Sequence, residues 1–303
     1  KLILNNLNII NAYADSLGGA IYVNSGAELT TTNVNFINNT AYTRGGAIYS
    51  KGTVTTKYST FDGNDIIYRA KNKDNGGAAI YNNDGALTVN NCNFTNNLKN
   101  IIVRGTADAK TIAQNQGTKT SKTGDLINGI ILSSGLANIE NSNFINNSGC
   151  YGGAITALPL TNNKPTLNIN NCNFINNFAY AGGAVYIGGG DVKYSILNSK
   201  FEDNLASGIG SYGYTTAGGA LTLINNHEKG SIINTTFNYN IAKDGARPSG
   251  SAVIIEDNDV DIEGCTFEGN IADTNGGAIG IKSSLNGTGS NVNIKNSTFT
   301  NNL

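Results

Sequence analysis

The stretch LNINNCNFINN, residues 167–177, contains the pattern that decides the fold. Leu167 and Ile169 alternate with asparagines, as in a β-strand that buries one face. Two asparagines then intervene, and Cys172 and Phe174 resume the alternation with the opposite parity. This change of parity predicts a corner between two short strands, and asparagine suits such a corner because it tolerates left-handed backbone angles.

The same pattern returns along the whole chain, so the sequence is that of a repeat protein. One recurring string, Phe-x-x-Asn, begins at Phe36, Phe61, Phe94, Phe144, Phe174, Phe201, Phe237, Phe267 and Phe299. The second string, Gly-Gly-Ala followed by an apolar residue, begins at Gly18, Gly45, Gly152, Gly182, Gly218 and Gly276. Ile9 occupies the Phe position of a degenerate first copy. The shortest spacing between Phe positions, 25 residues, is too small for a helix pair but suits one coil of a β-solenoid.

We therefore predict an all-β fold, a single-stranded parallel β-helix of about ten coils that runs continuously over residues 1–303. Coils stacked at the spacing of paired strands, about 4.8 Å, would form a rod about 48 Å long. Phenylalanine, aliphatic and small residues would stack in interior columns. The repeated asparagines would form side-chain amide ladders along the axis.

The composition supports this fold and excludes other classes. Asparagine accounts for 51 of the 303 residues, whereas charged residues make up 14% and the net charge is −1. Such a weak charge excludes a general electrostatic attraction to nucleic acid or to an anionic membrane. The hydrophobic fraction of 39% is too high for a disordered chain, and no apolar run is long enough for a transmembrane helix. The absence of methionine, at position 1 as elsewhere, suggests a mature or excised segment.

The two linked strings resemble the repeats of chlamydial polymorphic outer-membrane proteins. They are also similar to repeats of the large adhesin-like surface proteins of methanogenic archaea. The resemblance extends from about residue 2 to residue 302. It implies a right-handed β-helix that is secreted to the cell surface and takes part in cell adhesion, and it brings no catalytic motif.

The four cysteines are expected to be free thiols. Cys92, Cys172 and Cys265 occupy the position two residues before Phe, where other coils have serine or valine, and this favours a small buried side chain. Cys92 and Cys172 lie two coils apart, about 9–10 Å, which exceeds disulfide reach. Cys150 belongs to a different edge of the coil. No Cys-x-x-Cys motif is present, so we expect no structural zinc and no cofactor.

Residues 256–263, which we call the acidic strand, are a weak candidate for a calcium site. If Val260 and Ile262 point inward, the carboxylates of Asp257, Asp259, Asp261 and Glu263 share the outer face, and the three aspartates are the candidate ligands. Lateral ion pairs are the favoured alternative, because in-register stacking would put Lys229 beside Asp259 and Lys295 beside Glu263.

The sequence gives little support for catalysis, and we predict no catalytic residue. His227 is the only histidine, and its polar surroundings predict an exposed turn rather than the held base that a Ser–His–Asp triad needs. The Gly-Gly-Ala strings precede strands and not helices, so they are not phosphate-binding loops. A carbohydrate-active enzyme, such as a polysaccharide lyase or hydrolase, is kept as an alternative because such enzymes also use β-helices.

Four coils have long connections between the Asn of Phe-x-x-Asn and the next Gly-Gly-Ala: residues 65–75, 98–128, 205–217 and 241–249. These excursions share one position in the coil, so they should leave the rod along one edge, and loops on a rigid scaffold often carry binding. The candidate ligand-binding residues are aromatic and basic, namely Tyr68, Arg69, Arg104, Lys110, Tyr212 and Tyr214. Neutral drift of tolerated insertions is the alternative explanation.

The leading functional hypothesis is a non-enzymatic adhesin segment of a longer surface protein. The rod would display its loops to another cell, a glycan or a protein, with membrane contact only through regions outside this chain. A structural spacer or a self-stacking filament module is a further alternative. Neither end of the chain carries a recognisable polar cap, and solenoids need capped ends, so end-to-end stacking is a second possibility beside a longer chain.

Overall fold

A computed structural model of the chain shows a parallel β-helix. The structure describes residues 1–67, 75–98, 128–207, 218–243, 250, 252–284, 287 and 289–303. Each strand pairs in parallel with the equivalent strand of the next coil, so that Phe36 lies beside Phe61 and Phe144 beside Phe174. The Phe positions from Ile9 to Phe299 give ten stacked coils, which confirms the predicted all-β architecture.

The described residues form thirty-two strands. The strands of the first half are β1 Leu2–Ile10, β2 Tyr13–Ala14, β3 Ile21–Val23, β4 Glu28–Ile37, β5 Thr40–Ala41, β6 Ile48–Ser50, β7 Thr53–Lys57, β8 Thr60–Asp62, β9 Asp65–Ile66, β10 Ile80–Asn82, β11 Ala86–Asn90, β12 Asn93–Thr95, β13 Ile131–Ser133, β14 Leu136–Glu140, β15 Asn143–Ile145 and β16 Ile155–Ala157. The strands of the second half are β17 Thr166–Asn170, β18 Asn173–Ile175, β19 Phe178–Ala179, β20 Val185–Gly188, β21 Lys193–Leu197, β22 Lys200–Glu202, β23 Leu205–Ser207, β24 Leu221–Ile233, β25 Thr236–Asn238, β26 Ile241–Lys243, β27 Val253–Glu263, β28 Thr266–Glu268, β29 Ile271–Ala272, β30 Ile279–Lys282, β31 Val292–Lys295 and β32 Thr298–Thr300.

A coil contains up to four short strands in a fixed order. The coil of residues 166–188 shows the order clearly. Strand β17 precedes the corner, β18 carries Phe174, β19 follows directly after Asn177, and β20 follows Gly182-Gly183-Ala184. Strands of the first, second and fourth kinds join one large sheet, whereas strands like β19 form two small sheets, β2-β5-β9 and β19-β23-β26-β29.

Left-handed residues mark the corners on both sides of each Phe strand. Asn171, three residues before Phe174, has φ 52°, and Asn176, two residues after it, also has φ 52°. In the ninth coil Gly264 and Gly269 occupy these two places, with φ 63° and 62°. The predicted role of asparagine at the corner is therefore confirmed, and the second corner after Phe uses the same chemistry.

The interior contains continuous columns of like residues. Consecutive Phe rings are stacked with centroids 4.6 to 4.9 Å apart, and the interior members are fully buried. All four cysteines are free and buried. Burial raises the pKa of Cys172 to about 12, so this thiol stays protonated at neutral pH.

The asparagine of Phe-x-x-Asn forms a buried amide ladder. In each rung the side-chain Nδ2 donates to the Oδ1 of the next rung and to the backbone oxygen of the preceding coil's Phe, as Asn147 does to Asn177 and Phe94. The ladder members are Asn39, Asn64, Asn97, Asn147, Asn177, Asn204, Asn240, Asn270 and Asn302. Every amide group inside the ladder thus has partners, which a buried polar group requires.

The Gly-Gly-Ala string recurs at this corner for a steric reason. Gly152 has φ 65°, in the left-handed region that favours glycine. A Cβ atom on Gly153 would lie 2.2 Å from the backbone oxygen of Gly183 in the next coil. The first glycine therefore makes the turn and the second allows adjacent coils to approach, while the alanine that follows is buried, as Ala154 is.

Candidate functional site

In sequence, the excursions lie between the ladder asparagine of one coil and its Gly-Gly-Ala corner. Residues that flank them stack in parallel bridges, Arg44 with Gly76, Asn128 with Tyr151, and Gly218 with Gly250. We call this edge of the rod the loop edge. That all four excursions leave along this one edge stays a prediction.

Three of the excursions begin later than the sequence predicted. The structure places residues 65–66 in β9, residues 205–207 in β23 and residues 241–243 in β26. These segments pair with the short strands of neighbouring coils, which hold them in the body of the β-helix. The six candidate binding residues lie outside the described residues, so their role stays a prediction: Tyr68, Arg69, Arg104, Lys110, Tyr212 and Tyr214.

An outward-facing column of aromatic and apolar side chains lies beside the loop edge. Tyr22, Tyr49 and Tyr81 are stacked, with successive ring centroids 5.3 and 5.2 Å apart. The guanidinium carbon of Arg44 lies 5.7 Å from the centre of the Tyr81 ring, within the range of a cation–π interaction. Tyr22 is 47% exposed, whereas Tyr49 is only 2% exposed.

This column was not predicted from the sequence. Tyr49, Tyr81, Leu132 and Leu158 form a second hydrophobic cluster outside the interior of the β-helix. The available signal was the tyrosine directly after Gly-Gly-Ala-Ile, which recurs at Tyr22 and Tyr49. A strand residue that faces away from the interior is expected to be polar, so recurring tyrosines at that position indicate a covered or ligand-binding surface.

A second surface feature is a polar groove along the turns that connect β6 to β7, β10 to β11 and β13 to β14. It has a volume of about 510 Å³ and a floor that includes Gly52, Gly85 and Gly135. Cβ atoms on Gly85 and Gly135 would lie 2.3 and 2.2 Å from backbone oxygens of the preceding coil, so the floor consists of bare backbone. Lys51 and Lys164 are among the charged residues that line the groove.

Lys164 also belongs to a charged cluster at the end of the groove. Its Nζ lies 2.9 Å from Asp191 and 3.0 Å from Glu228. The hydrogen bond from Lys164, and after it the one from His227, lowers the pKa of Asp191. The hydrogen bonds to Asp191 and Glu228 raise the pKa of Lys164. His227 lies on strand β24 rather than in a turn, and its Nδ1 is 3.1 Å from Asp191. The predicted exposure of His227 is correct, but its place in a turn was wrong, because β24 continues through residues 225–229.

The acidic strand differs from the prediction at Asp257. Its φ of 47° interrupts the strand alternation, and the side chain is 5% exposed instead of facing solvent on the outer face. The two carboxylate oxygens accept hydrogen bonds from the backbone N–H groups of Ser284 and Gly289, at 3.1 and 3.0 Å. Burial alone would raise the pKa of Asp257, but these hydrogen bonds lower it below its ordinary value.

The other two carboxylates of the acidic strand also have protein partners. Asp259 accepts from the backbone N–H and the side-chain amide of Asn291, at 2.7 and 3.0 Å. Asp261 forms an ion pair with Lys229 at 2.7 Å. The register places Gly230 beside Val260, one residue after Lys229 and Asp259, and the ammonium of Lys229 forms its ion pair diagonally with Asp261 and not with Asp259. The predicted register of Lys295 beside Glu263 is confirmed.

Within the described ranges, no group of three or more His, Cys, Asp or Glu side chains lies close enough to hold a metal ion. The three carboxylates of the candidate calcium site each have a different partner, and the calcium site stays a prediction. The same residues contain no helix with the length and apolar character needed to cross a membrane.

Two stretches of the chain, each about the length of the repeated part of a coil, match the model of a known repeat family. Residues 33–51 and 264–282 match the Chlamydia polymorphic membrane protein repeat. Each stretch contains a Phe-x-x-Asn string, a short connection at the loop edge and a Gly-Gly-Ala corner. The match to the polymorphic membrane protein repeat confirms the resemblance that the two strings predicted, and it points to an extracellular or cell-surface location.

A search of curated proteins finds no match to the chain. Among solved structures, the chain is similar to the Streptococcus pneumoniae surface protein and adhesin PfbA. The sequence identity is 17% and the TM-score is 0.40, and the comparison covers 99% of this chain and 82% of that chain.

Proposed function

We propose that the chain is a non-enzymatic, adhesin-like segment of a cell-surface protein. It would act as a rigid rod that presents its loop edge to another cell, a glycan or a protein. The observation that carries the proposal is the regularity of the scaffold beside that edge. The Phe column and the amide ladder continue through the coils from which the excursions leave, so the excursions are anchored on a rigid support.

The match to the polymorphic membrane protein repeat supports a surface location, and the geometry supports display. The interior is filled by stacked side chains, so no ligand can pass into the rod. The flanks of the excursions stack in register, which would place several loops side by side along one edge. Several weak contacts on one rigid edge can then act together as a multivalent surface.

The test is adherence of beads coated with the purified chain to a panel of cells. A variant in which residues 105–123 are replaced by a short Gly-Ser connection should lose most of the adherence. The matched control replaces two exposed turn residues away from the loop edge, Asn162→Ser and Asn163→Ser, and should adhere like the unmodified chain. Equal adherence of all three proteins would refute a role for the largest excursion.

The enzymatic alternative is tested on the same samples. Incubation with pectin, alginate and glycosaminoglycans should release neither reducing ends nor unsaturated sugars. Steady product formation that depends on protein concentration would instead identify a carbohydrate-active enzyme.

A further inference from the structure

A small cleft lies beside the loop edge. It has a volume of about 220 Å³ and is lined by Asn128, Tyr151, Leu158, Pro159, Tyr186, Gly188 and Gly189. We propose that this cleft, which we call the tyrosine cleft, binds a single neutral sugar ring. The proposal rests on the proposed adhesin function and names a ligand class for it.

Two tyrosine rings form the aromatic wall of the cleft. Tyr186 occupies the outward column, in register with Thr156 on one side and Thr222 on the other. Tyr151 precedes the Gly152-Gly153 corner, and the two ring centroids lie 5.0 Å apart with an interplanar angle of 54°. Because the rings are tilted, each presents a separate surface to a ligand.

Neither hydroxyl group has a hydrogen-bond partner among the described residues. Buried or half-buried tyrosine hydroxyls usually find a hydrogen-bond partner. Tyr49 accepts a hydrogen bond from Asn83 at 2.8 Å, and Tyr194 donates one to Asn258 at 2.6 Å. In contrast, no hydrogen bond is formed by the hydroxyl of Tyr151 or Tyr186 in the part of the chain that the structure describes, although both side chains are half-buried. These hydroxyls are therefore free to bind a ligand.

The chemistry of the hydroxyls suits a neutral polyol. Burial raises the pKa of both Tyr151 and Tyr186, so both remain protonated donors at neutral pH. A hydroxyl can donate and accept at once, as sugar hydroxyls also do. None of the residues that line the cleft is charged, which favours a neutral ligand over an acidic or basic one.

Apart from Asn128, the remaining walls are apolar or glycine backbone and leave an open mouth. Pro159 and Leu158 face the tyrosines, and a Cβ on Gly190 would lie 2.7 Å from Cγ of Pro159, so glycine permits this close packing. Gly189 has φ 79°, and nothing lies within 4 Å of the place where its Cβ would be. The cleft combines apolar faces for the C–H side of a sugar ring with hydroxyls for its edge.

The size of the cleft limits the ligand to one ring. Its volume of about 220 Å³ is below the roughly 300–1,000 Å³ of pockets for drug-sized ligands. A terminal sugar of a glycan would fit, with the rest of the chain outside the mouth.

Ligand-observed NMR with the full chain tests the proposal. The probes are free D-glucose, D-galactose, D-mannose and N-acetyl-D-glucosamine at millimolar concentration, with D-glucuronic acid as a charged comparison. We expect saturable binding of at least one neutral sugar. The hydroxyl-deletion variants Tyr151→Phe and Tyr186→Phe keep the rings and the fold, and each should weaken binding by about fivefold to tenfold. Tyr22→Phe, on the same outward column but outside the cleft, should bind as the unmodified chain does.

The outcomes separate this proposal from the proposed function. Failure of every neutral sugar to bind, or equal binding by the Phe variants, overturns the tyrosine cleft as a sugar site. Preference for a proline- or leucine-containing peptide over the sugars also overturns it. If cells still adhere although the tyrosine cleft binds no sugar, the adhesin function stands without the cleft. Sugar binding without cell adherence would instead retain the cleft and refute the adhesin role.

Discussion

Removal of one rung from the buried amide ladder gives a direct measure of its contribution to stability. The side chain of Asn147 donates to Phe94 and Asn177 at 2.9 and 3.1 Å, and it accepts from the backbone N–H and the amide of Asn97 at 3.1 and 3.0 Å. At about 1 kcal/mol net for each hydrogen bond, the Asn147→Ala substitution should lower the free energy of unfolding by about 4 kcal/mol.

Equilibrium unfolding in guanidinium chloride measures this loss. The matched control is Asn168→Ala, since Asn168 is exposed and its side chain donates to Asn138 on the surface. We expect about 0.5 kcal/mol or less for the control. Because long repeat arrays can lose cooperativity, hydrogen exchange at the Asn97 amide, which loses its acceptor, provides a local measurement. If Asn147→Ala costs no more than Asn168→Ala, the ladder does not stabilise the fold.

A second substitution at Asn147 separates the effect of the lost hydrogen-bond donors from the effect of the lost side-chain volume. Asn147→Asp keeps the shape and the acceptors but introduces a buried carboxyl group. Burial raises the pKa of that carboxyl in the folded chain above its value in the unfolded chain, so the folded state binds the proton more tightly. The free energy of unfolding of this variant should therefore rise as pH falls through the folded-state pKa and decrease at higher pH. A pH dependence identical to that of the unmodified chain would contradict the burial of this side chain in the ladder.

Three further predictions follow from the corners, the charged cluster and the thiols. Gly153→Ala should destabilise the fold by about 3 kcal/mol or more through the clash with the next coil. Gly26→Ala, where nothing lies within 4 Å of the added Cβ, should cost only the backbone strain of about 1–2 kcal/mol, and equal melting temperatures would contradict the steric explanation. Lys164→Gln should raise the pKa of Asp191 toward its ordinary value in a carboxyl-carbon NMR titration. Asp191 has a lowered pKa, so its stabilising contribution is present above the unfolded pKa and is lost as pH falls through the folded pKa. That acid sensitivity should be smaller in the variant, and an unchanged Asp191 pKa would refute the coupling. All four thiols should resist a thiol reagent in the native protein and react in guanidinium chloride, and rapid native labelling of any one would contradict its burial.

The coil architecture could be predicted from the sequence because each feature recurs. Asn171 and Phe174 belong to a pattern that returns in nearly every coil, so the corner, the Phe column and the ladder were supported by many copies. Stacking in register then determines which residues meet across coils. Most of the features that were missed or wrong occur once, and the recurring tyrosines of the outward column are the exception.

The acidic strand illustrates the limits of the pattern. Strand alternation placed Asp257 on the outer face, but its left-handed backbone turns it toward the turn after β30. Regular stacking predicted an ion pair between Lys229 and Asp259, but the ion pair of Lys229 is with Asp261, two residues further along β27. Both outcomes depend on local geometry that no neighbouring coil repeats. The tyrosine cleft was missed for the same reason, since Tyr151 and Tyr186 come from different positions of the repeat.

The direction of the inter-coil hydrogen bonds has a mechanical consequence. Strands pair between coils, so these bonds lie along the axis, and tension between the two ends pulls directly on them. One coil would peel away at a time, and the 30 residues from Asn147 to Asn177 would release about 100 Å of extended chain. Single-molecule stretching should therefore show successive steps of about this length, whereas one all-or-none rupture would contradict peeling. A tether built in this way lengthens under load before its attachment breaks.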